Sequence, residues 1–213
     1  MLTVNELYVS VQGESTHVGR PCTFVRLTAC DLRCRWCDTP HAFTGGRKMT
    51  VDDVVAEVER LGCRLVEITG GEPLLQREVY PLMESLIARG CEVLLETGGH
   101  VPLDEVPAAV RKIVDVKCPG SGEADRMHWP NLDLISGSDE VKFVIADRPD
   151  FDYARDVVVR HDLPRRVQAV LFSPVHGALH PADLAKWILD AQLPVRLQLQ
   201  MHKYVWGADA KGV

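Results

Sequence analysis

The chain has 213 residues, of which 46% are hydrophobic and 25% are charged. These values are ordinary for a globular protein, and they exclude a mainly disordered, collagen-like or coiled-coil chain. The 24 basic and 30 acidic residues give a net charge of −6, which argues against a general nucleic-acid binder. The length favours one domain, and we expect a single domain over residues 1–213.

No apolar run reaches the length of a membrane span, and residues 1–10 lack the pattern of a secretory signal. The seven cysteines are odd in number, and Cys30, Cys34 and Cys37 fall within eight residues. A disulfide framework needs paired cysteines and an oxidising compartment. We therefore expect a cytoplasmic protein in which the three close cysteines bind a metal or a cluster.

Short runs rich in Val, Ile, Leu and Phe alternate with amphipathic helical patterns along the chain. In chain order, strands are predicted at residues 4–11, 23–27, 65–69, 92–96, 113–116, 141–145, 169–172 and 195–199. Helices are predicted at residues 51–61, 79–89, 151–159 and 182–191. Thr50 and Asp53 resemble a capping box before the first helix, and Gly90 is expected to end the second.

This alternation predicts an α/β fold with a mainly parallel sheet and helices outside it. Because the chain is short for eight complete units, we predict a partial, open βα barrel. In such folds the active site lies at the carboxyl ends of the strands. Polar or glycine-rich segments follow five of the predicted strands, at residues 28–40, 70–73, 97–99, 117–122 and 173–177. We therefore expect one shared site at this edge.

The three close cysteines have the spacing C-x3-C-x2-C. Three thiolates on one short loop can hold three corners of a [4Fe–4S] cluster and leave one iron open for another ligand. The alternative is a structural zinc site, with His41 or Cys22 as the fourth ligand. Zinc sites usually combine two separated ligand pairs, and the sequence offers no second pair, so the cluster is favoured.

Trp36 precedes the last of these cysteines, and Gly70-Gly71-Glu72-Pro73 follows the next βα step. Together these motifs resemble the radical S-adenosylmethionine (SAM) superfamily. The resemblance implies that the open iron binds the amino and carboxylate groups of SAM, and that the reduced cluster cleaves SAM to a 5′-deoxyadenosyl radical. Glu72 and the backbone around Gly71 would hold the SAM amino group. The implied SAM-binding residues are Trp36, Asp38, Gly71, Glu72, Lys117 and Ser173.

Further segments, spread over nearly the whole chain, carry a narrower resemblance. They are Val11-Gln12-Gly13-Glu14, Arg26, Cys37-Asp38-Thr39, Thr69 with the four residues after it, Glu96-Thr97-Gly98 and His202-Lys203-Tyr204. They resemble the 7-carboxy-7-deazaguanine synthase family. The resemblance implies a lyase that converts 6-carboxy-5,6,7,8-tetrahydropterin to 7-carboxy-7-deazaguanine with loss of ammonia, in queuosine biosynthesis. SAM would be regenerated, and the radical derived from it would be the only catalytic group.

The same resemblance implies a Mg²⁺ ion at Thr39, a homodimer, and a set of substrate contacts. The substrate contacts are Val11, Gln12, Gly13, Glu14, Arg26, Thr69 and His202. Their chemistry suits the ligand, because Gln12 and Glu14 offer donors and acceptors to a guanine-like edge. Arg26 offers a bidentate fork to a carboxylate.

The chain departs from the family pattern at four places. Ser15 stands where a second Gly is usual, and Thr97-Gly98-Gly99 replaces Thr-Asn-Gly. Asp115-Val116-Lys117 replaces a Ser-Pro-Lys, so only Lys117 carries over. The tail from Trp206 to Val213 puts in doubt any contact between the C-terminal carboxylate and the substrate.

Other interpretations stay open for the protein and for single residues. The chain could be an activating enzyme for a glycyl-radical protein, or a zinc-stabilised binding module without catalysis. Arg26 could form an internal ion pair with Glu67 or Glu96, and His202, at the end of a strand, could be a core imidazole.

The remaining cysteines are interpreted as small buried hydrophobes: Cys22, Cys63, Cys91 and Cys118. A basic patch is interpreted as a solvated rim that could receive a flavodoxin-like electron donor: Arg33, Arg35, Arg47 and Lys48.

Overall fold

The computed structural model describes residues 1–212, and within them nine strands form one sheet and seven helices surround it. The strands are β1 (Leu2–Val11), β2 (Pro21–Leu27), β3 (Arg47–Met49), β4 (Leu65–Gly70), β5 (Glu92–Thr97), β6 (Arg111–Asp115), β7 (Glu140–Ile145), β8 (Ala169–Pro174) and β9 (Arg196–Leu197). The helices are α1 (Val51–Leu61), α2 (Val79–Ala88), α3 (Asn131–Leu134), α4 (Arg148–Arg160), α5 (Leu163–Arg166), α6 (Pro181–Asp190) and α7 (Met201–Val205).

The strand order is β3-β1-β2-β4-β5-β6-β7-β8-β9. From β2 to β9 every neighbouring pair is parallel, whereas β1 is antiparallel to both β2 and β3. The sheet ends at β3 and β9, so the prediction of a partial, open and mainly parallel βα barrel is confirmed. Seven of the eight predicted strands and all four predicted helices are present close to their predicted bounds, and the three-residue β3 was not predicted.

The helix boundaries follow from local chemistry. Thr50 Oγ1 accepts the backbone N–H of Asp53 at 3.1 Å, and the Asp53 carboxylate accepts the N–H of Thr50 at 2.9 Å. This is the predicted capping box of α1. Gly90 has φ of 75°, a left-handed conformation that glycine adopts without strain, and it ends α2 as predicted.

Alternating side chains divide each parallel strand between two environments. In β4, Val66 and Ile68 pack against the helices, whereas Glu67 and Thr69 point into the barrel. In β7, the buried Phe143 belongs to the same outer core. The period of two that defines a strand therefore separates an apolar layer under the helices from a polar barrel interior.

The segment between β1 and β2 lies across the amino-terminal ends of the strands. The backbone N–H of Thr16 donates to Glu140 at the start of β7. Arg20 pairs with Glu92 at the start of β5, with 2.7 Å between Nη2 and Oε2. These contacts close one end of the barrel, so the interior opens at the carboxyl ends of the strands.

The last predicted strand, residues 195–199, is mostly wrong, because β9 covers only Arg196–Leu197. The side chain of Gln198 turns inward, where Oε1 accepts the backbone N–H of Ser15 at 2.6 Å. The chain then forms α7, and His202 lies in this helix rather than at a strand end. Among residues 1–212, every helix is too short or too polar to cross a membrane.

Candidate functional site

A cavity of about 830 Å³ fills the barrel interior and opens at the carboxyl ends of the parallel strands. A cavity of this size holds one or two small organic ligands. Within residues 1–212, it is lined by every predicted site residue except Ser173. Ser173 lies in β8, and its buried Oγ has no hydrogen-bond partner within the described chain. The fold thus brings the predicted residues together, and their individual roles stay predictions.

The cysteine loop follows β2 and is held at several backbone positions. The N–H of Ala29 donates to the carbonyl of Ala42 at 2.8 Å, and the N–H of Arg35 donates to the carbonyl of Ser121 at 3.0 Å. The N–H of Cys37 donates to the carbonyl of Cys34 at 3.2 Å. These bonds fix the loop so that all three thiols are free, half-buried and turned to one cavity.

The donor set fits a cubane cluster held at three corners. Burial raises the pKa of the Cys30 and Cys34 thiols, so their thiolates need a bound cation to be stable here. Within residues 1–212, no group of three His, Cys, Asp or Glu side chains converges on a single ion position. A cubane does not need such convergence, because each thiolate binds a different iron.

The two residues considered as a fourth zinc ligand are engaged elsewhere. His41 Nε2 lies 3.3 Å from Glu6 Oε2. Cys22 is fully buried in β2, outside the cavity lining, and its thiol donates to the carbonyl of Thr23. Cys118 is also buried, as predicted, whereas Cys63 and Cys91 are only half-buried because they lie in loops before strands.

The Gly70-Gly71-Glu72-Pro73 loop packs against the cysteine loop. A Cβ atom on Gly71 would overlap the carbonyl of Ala29 and would lie 2.9 Å from Cys30 Cβ. The N–H of Glu72 donates to the carbonyl of Ala29 at 2.8 Å. Only glycine permits this approach, so the motif places its backbone directly beside a predicted cluster ligand.

The Glu72 side chain is fully buried and is used by protein donors. Its carboxylate accepts the N–H of Leu74 at 3.1 Å, the N–H of Gly98 at 2.8 Å and the hydroxyl of Thr97 at 2.9 Å. Burial raises the pKa of this carboxyl group, and His100 and the hydrogen bonds oppose the increase. Glu72 therefore joins two loops of the site, and its predicted contact with the SAM amino group would need further lone pairs of the same oxygens.

Lys142, which was not predicted as a site residue, lies in the wall of the cavity. Its Nζ is 2.9 Å from Glu14 Oε2, contacts Glu96 Oε1, and is 3.9 Å from Asp115 Oδ2. A nearby second pair joins Lys117 Nζ to Asp115 Oδ2 at 2.7 Å. A lysine within the apolar run of β7 could have indicated a buried ion pair, because burying an isolated charge costs much free energy.

Further acidic groups line the same interior. Gln12 Nε2 donates to Glu67, and Thr69 Oγ1 donates to Glu96 Oε2 at 3.2 Å. Burial, together with the neighbouring Glu96 and Glu14 carboxylates, raises the pKa of Glu67 to about 8. The carboxylates and amides therefore form a surface rich in acceptors.

Arg26 forms an internal ion pair, although not with the expected partners Glu67 or Glu96. Its Nε donates to Glu6 Oε2 at 2.7 Å, and its Nη2 donates to the hydroxyl of Tyr8 at 3.1 Å. Glu6 and Tyr8 lie on β1, directly beside β2 in the antiparallel pair, which explains the choice of partner. Arg26 still lines the cavity.

The helix α7 closes one side of the cavity through contacts that the sequence did not reveal. The N–H of Met201 donates to the carbonyl of Gly13 at 2.9 Å. Gln200 Nε2 donates to both Glu14 Oε1 and Asp38 Oδ2 at 3.0 Å. Lys203 Nζ lies 3.0 Å from Asp38 Oδ2. Desolvation opposes ionisation of Asp38, but Lys203 outweighs it and the pKa falls to about 2.

The tail also lines the cavity, from Trp206 to Gly212. Its last residue, Val213, lies outside the described residues. The expectation that its C-terminal carboxylate has no role near the substrate therefore stays a prediction.

Comparisons with known proteins agree with this geometry. The sequence profile of the Radical SAM superfamily matches residues 25–160. A 7-carboxy-7-deazaguanine synthase from Koribacter versatilis is 51% identical over 100% of both chains, and one from Chlorobaculum tepidum is 42% identical over 100% of this chain and 97% of its own. The crystal structure of QueE from Escherichia coli has the same fold, with a TM-score of 0.71 at 23% identity over 94% of both chains. This chain belongs to the radical SAM superfamily and, within it, to the 7-carboxy-7-deazaguanine synthase family.

Proposed function

We propose that this protein is a radical SAM lyase that converts 6-carboxy-5,6,7,8-tetrahydropterin to 7-carboxy-7-deazaguanine, with loss of ammonia, in 7-deazapurine biosynthesis. The single observation that carries the proposal is one cavity shared by three free thiols and a polar surface rich in acceptors. When bound, the [4Fe–4S] cluster and SAM supply the 5′-deoxyadenosyl radical that takes a hydrogen atom from the substrate. The protein binds, orients and shields the reacting groups.

The cofactor side of the cavity is formed by the cysteine loop and the loop after β4. Cys30, Cys34 and Cys37 would hold the cluster, with SAM against the backbone of Gly71. The amine of Lys117, near the Cys34 thiol, would attract the SAM carboxylate. Asp38 also lines the cavity, and Lys203 keeps it ionised.

The substrate side suits a flat heterocycle with many N–H groups and one carboxylate. Glu14 and Gln12 would provide acceptors and donors for the guanine-like pyrimidine edge, which is the role that the sequence suggested for them. Arg26 and His202 would meet the carboxylate. The helix α7 and the tail would help to exclude water from the radical, because both line the cavity.

A Mg²⁺ ion is part of the proposal. Thr39 Oγ1 lines the cavity and lies 3.8 Å from Cys37 Sγ, so a hydroxyl oxygen stands beside the cluster loop. Mg²⁺ prefers oxygen ligands and keeps several waters, so Thr39 and a substrate carboxylate would suffice as further ligands. Asp38 is already paired with Lys203 and is less available to the ion.

We also propose a cytoplasmic homodimer that receives electrons from a flavodoxin-like protein. Seven free thiols support a reducing compartment. The exposed arginines near the cluster loop, Arg33 and Arg35, suit an acidic donor. Exposed apolar side chains on β9 and α7 support contact with a second copy: Leu197, Tyr204 and Val205.

The test is anaerobic reconstitution followed by incubation with 6-carboxy-5,6,7,8-tetrahydropterin, SAM, Mg²⁺ and a reductant. We expect 7-carboxy-7-deazaguanine by mass spectrometry, with SAM not consumed in proportion to product. Arg26→Gln should raise KM more than it lowers kcat, because the fork for the carboxylate is lost. No deazapurine product from protein that contains the cluster would contradict the proposal, and a colourless, zinc-loaded protein would favour the binding module.

A further inference from the structure

Lys142 is a buried lysine in the wall of the cavity and is only 4% exposed. It bridges Glu14, in the segment after β1, to Glu96 at the end of β5. These partners lie 128 and 46 residues away in the sequence, so the fold alone brings them together. Lys142 was not among the residues that the family resemblance implied.

The charge balance around Lys142 is acidic. The carboxyl groups of Glu14, Glu96, Asp115 and Asp38 surround it or lie nearby, together with that of Glu67, whose pKa is raised to about 8. Within residues 1–212, Lys142 is the only cation in salt-bridge contact with Glu14 or Glu96. Three other cations of the cavity pair with different carboxylates: Arg26 with Glu6, Lys117 with Asp115, and Lys203 with Asp38.

The pairing leaves acceptor capacity on both carboxylates. Each oxygen of a carboxylate can accept two hydrogen bonds. The side chains also remain partly accessible, since that of Glu96 is 28% exposed and that of Glu14 is 17% exposed. Both line the cavity. A carboxylate accepts hydrogen bonds from N–H groups only where its free lone pairs point at them. Lys142 contacts one oxygen of each group and therefore fixes the orientation of two cavity-facing acceptors.

Resting on the proposed function, we propose that Lys142 is a positioning residue that sets substrate selectivity. It holds Glu14 and Glu96 as oriented acceptors for a heterocycle whose pyrimidine ring carries a 2-amino group and an adjacent N–H. A heterocycle with oxygen at position 2 offers an acceptor there, which the paired carboxylates repel. The residue thus acts through the two glutamates and does not touch the substrate itself.

The test compares two probes on the holoenzyme loaded with SAM and Mg²⁺ but without reductant, so that no turnover occurs. The probes are 6-carboxypterin and 6-carboxylumazine, its analogue with oxygen at position 2. Anaerobic calorimetry should give tighter binding of the pterin to the wild type, by at least about tenfold. Lys142→Gln should weaken the pterin by about tenfold or more and bring the two affinities within about threefold.

Two further variants separate an effect on substrate selectivity from an effect on the stability of the fold. Lys142→Arg keeps the charge and should retain the preference for the pterin. Lys112→Gln removes another buried lysine, whose Nζ lies 3.1 Å from Asp139 Oδ1 outside the cavity lining, and should leave the preference unchanged. If Lys142→Gln weakens both probes equally, the lysine is merely structural and the inference is wrong.

If Lys142→Gln does not fold, Glu96→Gln replaces it, because Lys142 then keeps Glu14 and Asp115 as partners. This variant should also lose the preference for the pterin, and an unchanged preference would overturn the inference. A wild type that makes the deazapurine but does not distinguish the probes would overturn the inference alone. A wild type that makes no product would overturn the proposed function instead.

Discussion

Glu72 Oε2 accepts a hydrogen bond of 2.8 Å from the backbone N–H of Gly98, which joins the loop after β4 to the loop after β5. The same carboxylate accepts the Thr97 hydroxyl, and His100 Nδ1 lies 3.7 Å away. Gly98 stands where the family usually has Asn, and a Cβ atom there would lie 3.1 Å from His100 Nδ1. His100 in turn contacts Asp31, the neighbour of Cys30, at 2.6 Å. Glu72 therefore links the motif loop to the cysteine loop through protein contacts.

Glu72→Gln should destabilise the protein even without SAM. The amide nitrogen of Gln would replace one acceptor oxygen by a donor, and a buried N–H would lose its partner. The expected cost is about 1–3 kcal/mol of unfolding free energy. Thermal unfolding of the cluster-loaded protein, with and without SAM, measures it, and Glu84→Gln on the exposed face of α2 is the control. Equal stability of Glu72→Gln and wild type without SAM would contradict this linking role.

Replacing Cys30, Cys34 or Cys37 by Ala should abolish SAM cleavage and lower the bound iron. Each thiolate holds a different corner of the cubane, so two remaining ligands retain it poorly. Cys63→Ala is the matched control, because this half-buried thiol lies outside the cavity lining and donates to the carbonyl of Leu65. Iron and sulfide analysis after anaerobic reconstitution measures the outcome. Loss of the cluster in Cys63→Ala would show that the ligands were identified wrongly.

The parts of the fold that local chemistry determines could be predicted. The capping box at Thr50 and the glycine stop at Gly90 involve neighbours in sequence, so their signals are local. β3 was missed because it has three residues, and two of them, Arg47 and Lys48, are exposed and charged. Such a strand exists only because β1 offers a free edge to pair with.

The residues of the site could be predicted only where they belong to short sequence motifs. The cysteine spacing and the glycines near Glu72 are short patterns, and the fold puts them in one cavity. The ion pairs of Lys142 depend on Glu96 and Glu14, which lie 46 and 128 residues away in the sequence. No local pattern specifies such distant partners. The predicted strand at residues 195–199 likewise stops at Leu197, because Gln198 and Gln200 reach Glu14 across the barrel, and α7 follows it. The alternation in β7 could still have revealed Lys142, because Val141 and Phe143 on either side face the core.

Glu67→Gln should change the pH dependence of stability. Burial and the neighbouring carboxylates raise the pKa of Glu67 from 4.5 to about 8. Between these values the folded state keeps a proton that the unfolded state releases, so the Glu67 contribution to stability falls as pH rises through this window. The slope is at most about 1.4 kcal/mol per pH unit for one proton.

Glutamine resembles the protonated acid, still accepts from Gln12, and does not titrate. The difference in melting temperature, Glu67→Gln minus wild type, should therefore increase as pH rises from 4.5 towards 8. Above pH 8 this difference should stay constant. Thermal scans at several pH values measure this, and Glu84→Gln should keep the wild-type slope. Parallel curves for Glu67→Gln and wild type would mean that Glu67 has an ordinary pKa.

Gly13→Ala should disturb α7 without removing the cluster. A Cβ atom on Gly13 would overlap the His202 imidazole and would lie 2.9 Å from both Cβ and Cγ of His202, so the helix must move. The helix is bonded to the same place, because the N–H of Met201 donates to the carbonyl of Gly13. His202 and Lys203 would be displaced together, and we expect kcat/KM to fall by about tenfold or more, mainly through KM. Gly137→Ala is the control, since nothing lies within 4 Å of its added Cβ. Steady-state kinetics with iron analysis on both variants decides the matter: an unchanged kcat/KM in Gly13→Ala would mean that α7 does not position the substrate.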